Sequence, residues 1–303
     1  MPMNRAQFRK QLQLGLNTVF GIEYKRYPEE WRAIFEVNPS KKAYEEDVLM
    51  VGLAGGQVKQ EGRGVAYDEG GEAWVARYKH DTIALAFAIT EEAVEDGLYG
   101  DLGAKYGRAL ARSMQHTKEV NGSGVLNNGF TAGAFAGGDG VALFSTSHPL
   151  AGGGLLSNTP STPANLAEAS LEDALIAIEN WTDDRGIPIA AMAKRLVTPA
   201  ALGFVAERLL MSPQRPGTPD NDINAMKSMG MIPQGASVNH RLVDPNAWFL
   251  ITDVPDGLKY FNRISIQRGM EGDFETGNMR YKARERYSFG FTNPRGGYAS
   301  PGA

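Results

Sequence analysis

Residues 83–89 read Ile-Ala-Leu-Ala-Phe-Ala-Ile, a strict alternation of bulky and small side chains. Successive strand residues point to opposite faces, so this run predicts a strand with Ile83, Leu85, Phe87 and Ile89 on one face. Ala84, Ala86 and Ala88 make the other face. Upstream, Val48–Leu53 is a shorter apolar run ending in Ala54-Gly55-Gly56, and a strand pattern resumes at Trp74 and continues to Ile89. Between them, Gln57–Glu72 is polar and punctuated by Gly62-Arg63-Gly64 and Glu69-Gly70-Gly71. Two strand patterns around such a tip predict a long β-hairpin that leaves the body. A two-stranded hairpin is marginal alone in water, so it needs a surface to lie on.

The residues before the hairpin predict an arm rather than a domain. Leu12, Leu16, Val19 and Phe20 sit at helical spacing, and Trp31, Ile34 and Phe35 form a second apolar cluster. Neither is large enough for a core, so both must bury against something else, a neighbouring chain included. From Arg5 to Lys42 the chain carries eight basic and four acidic residues, an excess of +4 on a chain whose net charge is -4.

After the hairpin, Thr90 reads as the N-cap of a helix with Glu91 and Glu92 in its first turn. Val94, Leu98, Leu102, Tyr106, Leu110 and Met114 share one face, and Asn121-Gly122-Ser123-Gly124 reads as the end. Gly97, Gly100, Gly103 and Gly107 each cost roughly 1 kcal/mol against alanine inside a helix. Such a helix depends on packing, and its small residues let another backbone come close. A loop rich in Gly, Ser and Pro follows from Gly129 to Pro163. Helices are expected at Leu166–Trp181 and Ala200–Leu210, strands at Lys194–Val197 and Trp248–Ile251, and antiparallel strands from Arg263 to Phe291.

Composition removes several function classes. The chain of 303 residues has no cysteine, so disulfide frameworks and cysteine-ligated metals are excluded. Its acidic balance, 35 acidic against 31 basic residues, argues against a dedicated nucleic-acid binder. No apolar stretch approaches the ~18 residues of a membrane span, and no secretory signal is visible. His80, His116, His148 and His240 lack metal-ligand spacing and read as surface or loop residues. Asp220-Asn221-Asp222-Ile223-Asn224 opens like a calcium loop, but Ala225 and Met231 stand where glycine and glutamate are needed. Ser145 or Ser147 with His148 is the one nucleophile–base pair in sequence, without the elbow or the orienting acid of a serine hydrolase. Catalytic, cofactor and metal residues are therefore expected to be absent, which favours a structural role.

The ordered set of pieces resembles the major capsid proteins of tailed bacteriophages, which share the Hong Kong phage capsid fold. The resemblance rests on the hairpin Gly52 to Lys79, the helix from Thr90 to Asn121-Gly122-Ser123-Gly124, and Leu171-Glu172-Asp173-Ala174-Leu175. Leu196-Val197-Thr198-Pro199 and Arg284-Glu285-Arg286-Tyr287-Ser288-Phe289-Gly290-Phe291 complete it. The loop Leu143-Phe144-Ser145-Thr146-Ser147-His148-Pro149-Leu150, with Ser157-Asn158 beyond, is similar to that of the Mu-like group.

The resemblance implies an α+β capsid fold: an N-terminal arm (1–48), an extended β-hairpin loop (49–89), a peripheral domain with a long spine helix (90–165 and 263–303) and an axial domain (166–262). It implies self-assembly as pentamers and hexamers into an icosahedral shell that encloses double-stranded DNA without sequence specificity. The place of action is then the virion, built in the host cytoplasm and without a membrane. A portal, an optional decoration protein and, given the short arm after Met1, a separate scaffolding protein are the implied partners. Asp183-Asp184-Arg185-Gly186 would be turn residues near the axes. The acidic Asp68, Glu69 and Glu72 of the loop suggest a basic surface on a neighbour, with Arg263, Arg268 and Arg280 as candidates. Lys59 and Asn278 lie where some members crosslink, but the motif around them does not match. The rival readings are an encapsulin-type shell and, less favoured, the serine hydrolase.

Overall fold

The computed structural model describes residues 5–90, 92, 99–133, 135, 137–215, 222–273 and 276–303. Two four-stranded sheets organise the chain. The first has the order β1-β10-β11-β4, from β1 (Glu36–Pro39), β4 (Asp81–Ile89), β10 (Leu258–Gly272) and β11 (Met279–Phe291). The second has the order β12-β9-β7-β8, from β7 (Ala193–Thr198), β8 (Ala236–Val238), β9 (Trp248–Thr252) and β12 (Gly297–Ser300). β2 (Tyr44–Val51) and β3 (Gly71–Lys79) pair with each other, as do the short β5 (His148–Pro149) and β6 (Leu155–Leu156).

The strand pattern expected to run unbroken from Trp74 to Ile89 divides at His80. β3 pairs with β2 in the hairpin, whereas β4 pairs with β11 in the first sheet. His80 is buried at the joint, its ring nitrogens bonded to Ser40 Oγ at 2.8 Å and Ser288 Oγ at 2.9 Å. The alternation of β4 holds in part: Ile89 is buried, and Ile83 and Phe87 pack on the sheet core, but Leu85 is 45% exposed.

The arm finds its partner inside the same chain. The N-terminal helix (Arg5–Tyr24) buries Leu16 and Phe20 against Leu110, Ala111 and Met114 of the long helix (Tyr99–Asn127). Gly103 and Gly107 permit this, since a Cβ at either would already touch the Leu16 side chain at 3.5 Å. Trp31, Ile34 and Phe35 likewise sink into a core with Tyr260, Tyr287 and Phe249. Both clusters therefore bury against other segments, as expected, and the cover for these residues comes from the same chain. Thr90, the expected N-cap, is exposed just after β4, but Glu91, Val94 and Leu98 lie outside the described residues, as does Asp220-Asn221 of the calcium-like loop.

The long helix does not end at Asn121-Gly122-Ser123-Gly124 but runs through it to Asn127. Packing overrides propensity here. A Cβ on Gly122 would lie 2.9 Å from Trp31 Cβ, and Ser123 is fully buried with its hydroxyl donating to Asn239 Oδ1 at 3.0 Å. Gly124 meets nothing within 4 Å. The two glycines should therefore respond oppositely to alanine. Gly124→Ala gains helix propensity and should raise stability by about 0.5–1 kcal/mol. Gly122→Ala gains the same but forces Trp31 away, and overpacking of about 1–3 kcal/mol outweighs it. Thermal melts of both variants check the signs.

A shared aromatic core joins the sheets. Phe249 and Ile251 of β9, Tyr260 of β10, Tyr287 and Phe291 of β11, and Phe144 belong to it. β9 is buried along its whole length, as the apolar run Trp248–Ile251 predicts for a central strand. The chain crosses between sheets at 253–257 and 292–296, where Gly257 and Gly296 lie back to back. A Cβ on either would sit about 2.5 Å from the other's Cα, so both backbones require glycine. The first of the C-terminal strands, β10, begins at Leu258 rather than Arg263, and β12 pairs into the second sheet. The second sheet carries its own core with the helices Glu168–Glu179, Gly203–Met211 and Ala225–Met229.

Candidate assembly surface

The hairpin root is pinned and its tip is not. On β2, Asp47 Oδ2 accepts from Lys259 Nζ and from Thr292 Oγ1, each at 2.5 Å. Tyr78 of β3 bonds to Thr292 Oγ1 at 2.7 Å and lies over Gly290, where a Cβ would clash at 2.7 Å. Burial lowers the Lys259 ammonium affinity for its proton, but the bonds to Asp256 and Asp47 more than offset this and the pKa is raised. Such a paired, buried cation fixes the direction in which the hairpin leaves.

Beyond Val51 the two limbs carry no regular structure until Gly71. Asp68 bridges them by accepting from the Ala54 N–H at 2.7 Å, which holds its carboxyl below the usual range. The tip is less polar in space than in sequence. Val58 and Tyr67 are 96% and 94% exposed, and Met50, Leu53 and Val65 are exposed beside them. An apolar set of this kind on a projecting limb is a surface awaiting cover.

Among the described residues, the tip bonds to the body of its own chain at the turn around Arg185. Arg185 Nη1 donates to Asp68 Oδ1 at 3.2 Å, and Nη2 donates to the Glu69 carbonyl at 2.5 Å. Arg185 stands in a turn closed by Asp183, whose N–H donates to Ile187 and whose Oδ1 accepts from Arg185 and Ile187. The candidates in the C-terminal strands are elsewhere. Arg268 donates to the Asn17 carbonyl at 2.7 Å and covers the Phe20 ring, clamping the N-terminal helix. Arg280 pairs with Asp273 across the β10–β11 end. Arg263 has a buried Nε without a partner among the described residues. Glu72, opposite Met50 in the ladder, is exposed. Within the chain Asp68 and Glu69 meet Arg185, a contact that no sequence spacing signals, whereas the expected pairing with Arg263, Arg268 or Arg280 is one between neighbouring subunits.

The arm root is held by acids. Glu119 of the long helix is buried and accepts from the Glu30 and Trp31 N–H groups, both at 3.0 Å. Glu30 in turn binds the N–H and Nδ1 of His240. Burial raises the Glu119 carboxyl from 4.5 to about 7 against the pull of the two N–H donors. A carboxyl raised on folding binds more protons in the native state. Its contribution is therefore full below about pH 4.5 and lost as pH rises to about 7. At about 1.4 kcal/mol per unit this amounts to ~3 kcal/mol. Glu119→Gln should flatten that slope, as denaturant titrations at pH 5 and 7.5 would show.

The serine loop does not form a catalytic set. His148 is fully buried, with Nδ1 2.6 Å from Asp139 Oδ2 and Nε2 3.2 Å from the Leu143 carbonyl. An acid does orient it, contrary to the sequence reading, but both ring nitrogens face acceptors and neither is bonded to a serine. Ser145 Oγ bonds to Ser147 Oγ instead, at 3.2 Å. Buried Asn158 ties the loop down, donating to the Leu143 and Pro294 carbonyls and accepting from the Ser145 N–H. Of the four histidines only His116 is exposed without a bond among the described residues; His80, His148 and His240 are structural pins rather than loose loop residues. No group of three or more metal-ligating side chains occurs among the described residues. No described helix is long and apolar enough to cross a membrane.

The hairpin is thus rooted on the first sheet and ends in an exposed apolar tip. Residues 74–300 match the model of a family described as phage capsid protein. The chain belongs to the phage capsid protein family. Comparison with curated protein sequences gives no match. Among solved structures, this capsid protein is similar to the virus-like particle of Pyrococcus furiosus, with 11% identity, 94% of this chain and 98% of that one covered, and a TM-score of 0.53. It is also similar to the procapsid of bacteriophage JBD30, with 16% identity, 98% and 76% covered, and a TM-score of 0.52. The capsid of Myoviridae phage XM1 gives 8% identity, 90% of each chain and 0.51. These likenesses show the fold, a mixed helix-and-sheet capsid fold. Membership of the family makes this chain a capsid shell protein, structural in role and at home in the virion capsid.

Proposed function

We propose that the chain assembles as pentamers and hexamers into an icosahedral shell around double-stranded DNA, with the hairpin of each subunit lying across the next. Residues 1–48 act as the N-terminal arm and 49–89 as the extended loop. Residues 90–165, with the long C-terminal strands, form the peripheral domain, and 166–262 most of the axial domain. The observation that carries this reading is the pairing of a pinned root with an uncovered tip. Val58 and Tyr67 are apolar, almost fully exposed and fixed in direction by Asp47 and Lys259. Phe204 and Met229, 83% and 70% exposed in 166–262, supply apolar contacts for the axial ring.

The serine loop with Ser157-Asn158 supports a place in the Mu-like group, because the buried Asn158 gives that motif a structural purpose. A scaffolding protein, a portal and an optional decoration protein are the further partners, with assembly in the host cytoplasm. Purified protein, alone and with its scaffold, should give closed shells by negative-stain microscopy. A compact monomer under all assembly conditions would defeat the proposal. The encapsulin reading separates by mass spectrometry of the shells: portal, tail proteins and DNA for a phage head, a single enzyme cargo for an encapsulin.

A further inference from the structure

We propose that the exposed face of the long helix is a track for the phosphodiester backbone of nucleic acid and faces the shell lumen. The face is built from Lys105, Arg108, Arg112 and His116, all exposed. At 100° per residue they fall within about 80° of one another, and at 1.5 Å per residue they span about 16 Å. From Leu102 to Lys118 the sequence contains no acid. Lys105 and Arg108 make no ion pair among the described residues, and like charges at this spacing weaken a helix.

Asp101, four residues before Lys105 in the same helix, bounds the face at that end, and the described acids at its other end are turned inward and occupied. Glu23, buried at the end of the N-terminal helix, is held by Arg112 Nε at 2.5 Å and by Arg26. Glu119 is buried under the Glu30 and Trp31 N–H groups, and Glu30 is bound to His240. Lys25 and Arg26, exposed just after the end of the neighbouring helix, and Arg241 beyond the His116 end enlarge the positive surface. A chain that is acidic overall thus presents a run of exposed cations, Lys105, Arg108 and Arg112, along one helix face.

The chemistry of the face favours phosphate over a protein partner. Between Lys105 and His116 no aliphatic side chain larger than alanine is exposed, and Tyr106 is the single large apolar residue there. A protein interface needs buried apolar anchors, whereas backbone phosphates need only spaced cations. Recognition of this kind carries no sequence information and is sensitive to salt.

The inference rests on the shell reading for its geometry but can fail separately. The probe is a short DNA duplex of arbitrary sequence, titrated with the soluble subunit over a range of NaCl concentrations. For Lys105→Gln/Arg108→Gln, the slope of log affinity against log salt should fall by about two, one per lost phosphate contact. The thermal midpoint and shell yield should stay at wild-type values. The absence of native cysteine allows a second arm: Lys105→Cys shells treated with a polymer-linked maleimide too large to enter them. Labelling of free subunits with protection in closed shells supports the lumenal face. An unchanged slope, or full labelling of closed shells, overturns the inference. So does an unchanged slope with lost shell yield, which would mark the stripe as a protein contact. A wild-type chain that forms no shells defeats the shell reading, and the salt slope still decides the track.

Discussion

Deleting Arg63–Glu69 should leave a soluble subunit that unfolds cooperatively near the wild-type temperature but yields few or no closed shells. The segment contributes little to its own subunit. Its internal contacts are the Asp68 bridge to Ala54 and the Arg185 bonds to Asp68 and Glu69, all at the surface. Exposed pairs of this kind are worth about 0–1 kcal/mol. Removing Val65 and Tyr67 takes away apolar surface that the subunit itself does not bury. In a shell the same loss recurs at every contact between neighbours, so assembly suffers where stability does not. Raising salt should likewise shift assembly yield more than subunit stability, because Asp68, Glu69 and Glu72 are exposed and screened. Arg185→Ala separates the two roles of the tip: it frees the loop from its own body without shortening it. Thermal melts and micrographs of both variants are the measurements. Normal shells from the deleted protein would refute the assignment of the hairpin.

Lys118→Met should be the most destabilising single change, by about 3–5 kcal/mol, because it strands a buried charge. Glu285 has 1% side-chain exposure, with Oε2 3.5 Å from Lys118 Nζ and 3.2 Å from the Tyr24 hydroxyl, while Oε1 has no partner among the described residues. Lys118 also lies over the rings of Trp31, Tyr260 and Tyr287 at 5.1–5.4 Å, which compensates its burial with aromatic faces. Burial already raises the Glu285 carboxyl, and Lys118 opposes that shift. Without the lysine the shift grows, so the variant should lose most at neutral pH and recover as acid protonates Glu285. The sign follows from linkage: a carboxyl raised in the folded state adds stability as pH falls. The double variant Lys118→Met/Glu285→Gln, carrying no buried charge, should regain most of the loss at pH 7. Urea titrations of both variants at pH 5 and 7.5 check the pattern.

Local pattern carried much of this architecture. The period-two run at 83–89, the apolar block at Trp248–Ile251 and the C-terminal alternation are readable because one face, or both, is buried against a neighbour in every strand. The glycine-rich tip announced a hairpin because few other elements tolerate such a stretch between two strands. Gly103 and Gly107 marked a close helix contact, and Leu16 occupies it.

Other features depend on residues distant in sequence, and there the local signal pointed elsewhere. His80 divides a strand that reads as continuous, since Ser40 and Ser288 hold its ring at the joint. Asn121-Gly122-Ser123-Gly124 has the composition of a stop, yet Trp31 and Asn239 fill the space that these small residues leave, and the helix continues. The partner of Asp68 is Arg185, 117 positions away, which charge composition alone could not choose from 31 basic residues. The apolar character of the tip was hidden because Val58, Val65 and Tyr67 are spaced singly among polar residues, and only the fold shows that its own chain leaves each of them exposed. The amino-acid sequence by itself determined the strands, the helix faces and the projecting hairpin, because hydrophobic periodicity acts within a few residues. The tertiary structure alone decided where the strand breaks, how far the long helix runs and which charges meet, because close packing and ion pairing are settled between segments that the chain brings together only on folding.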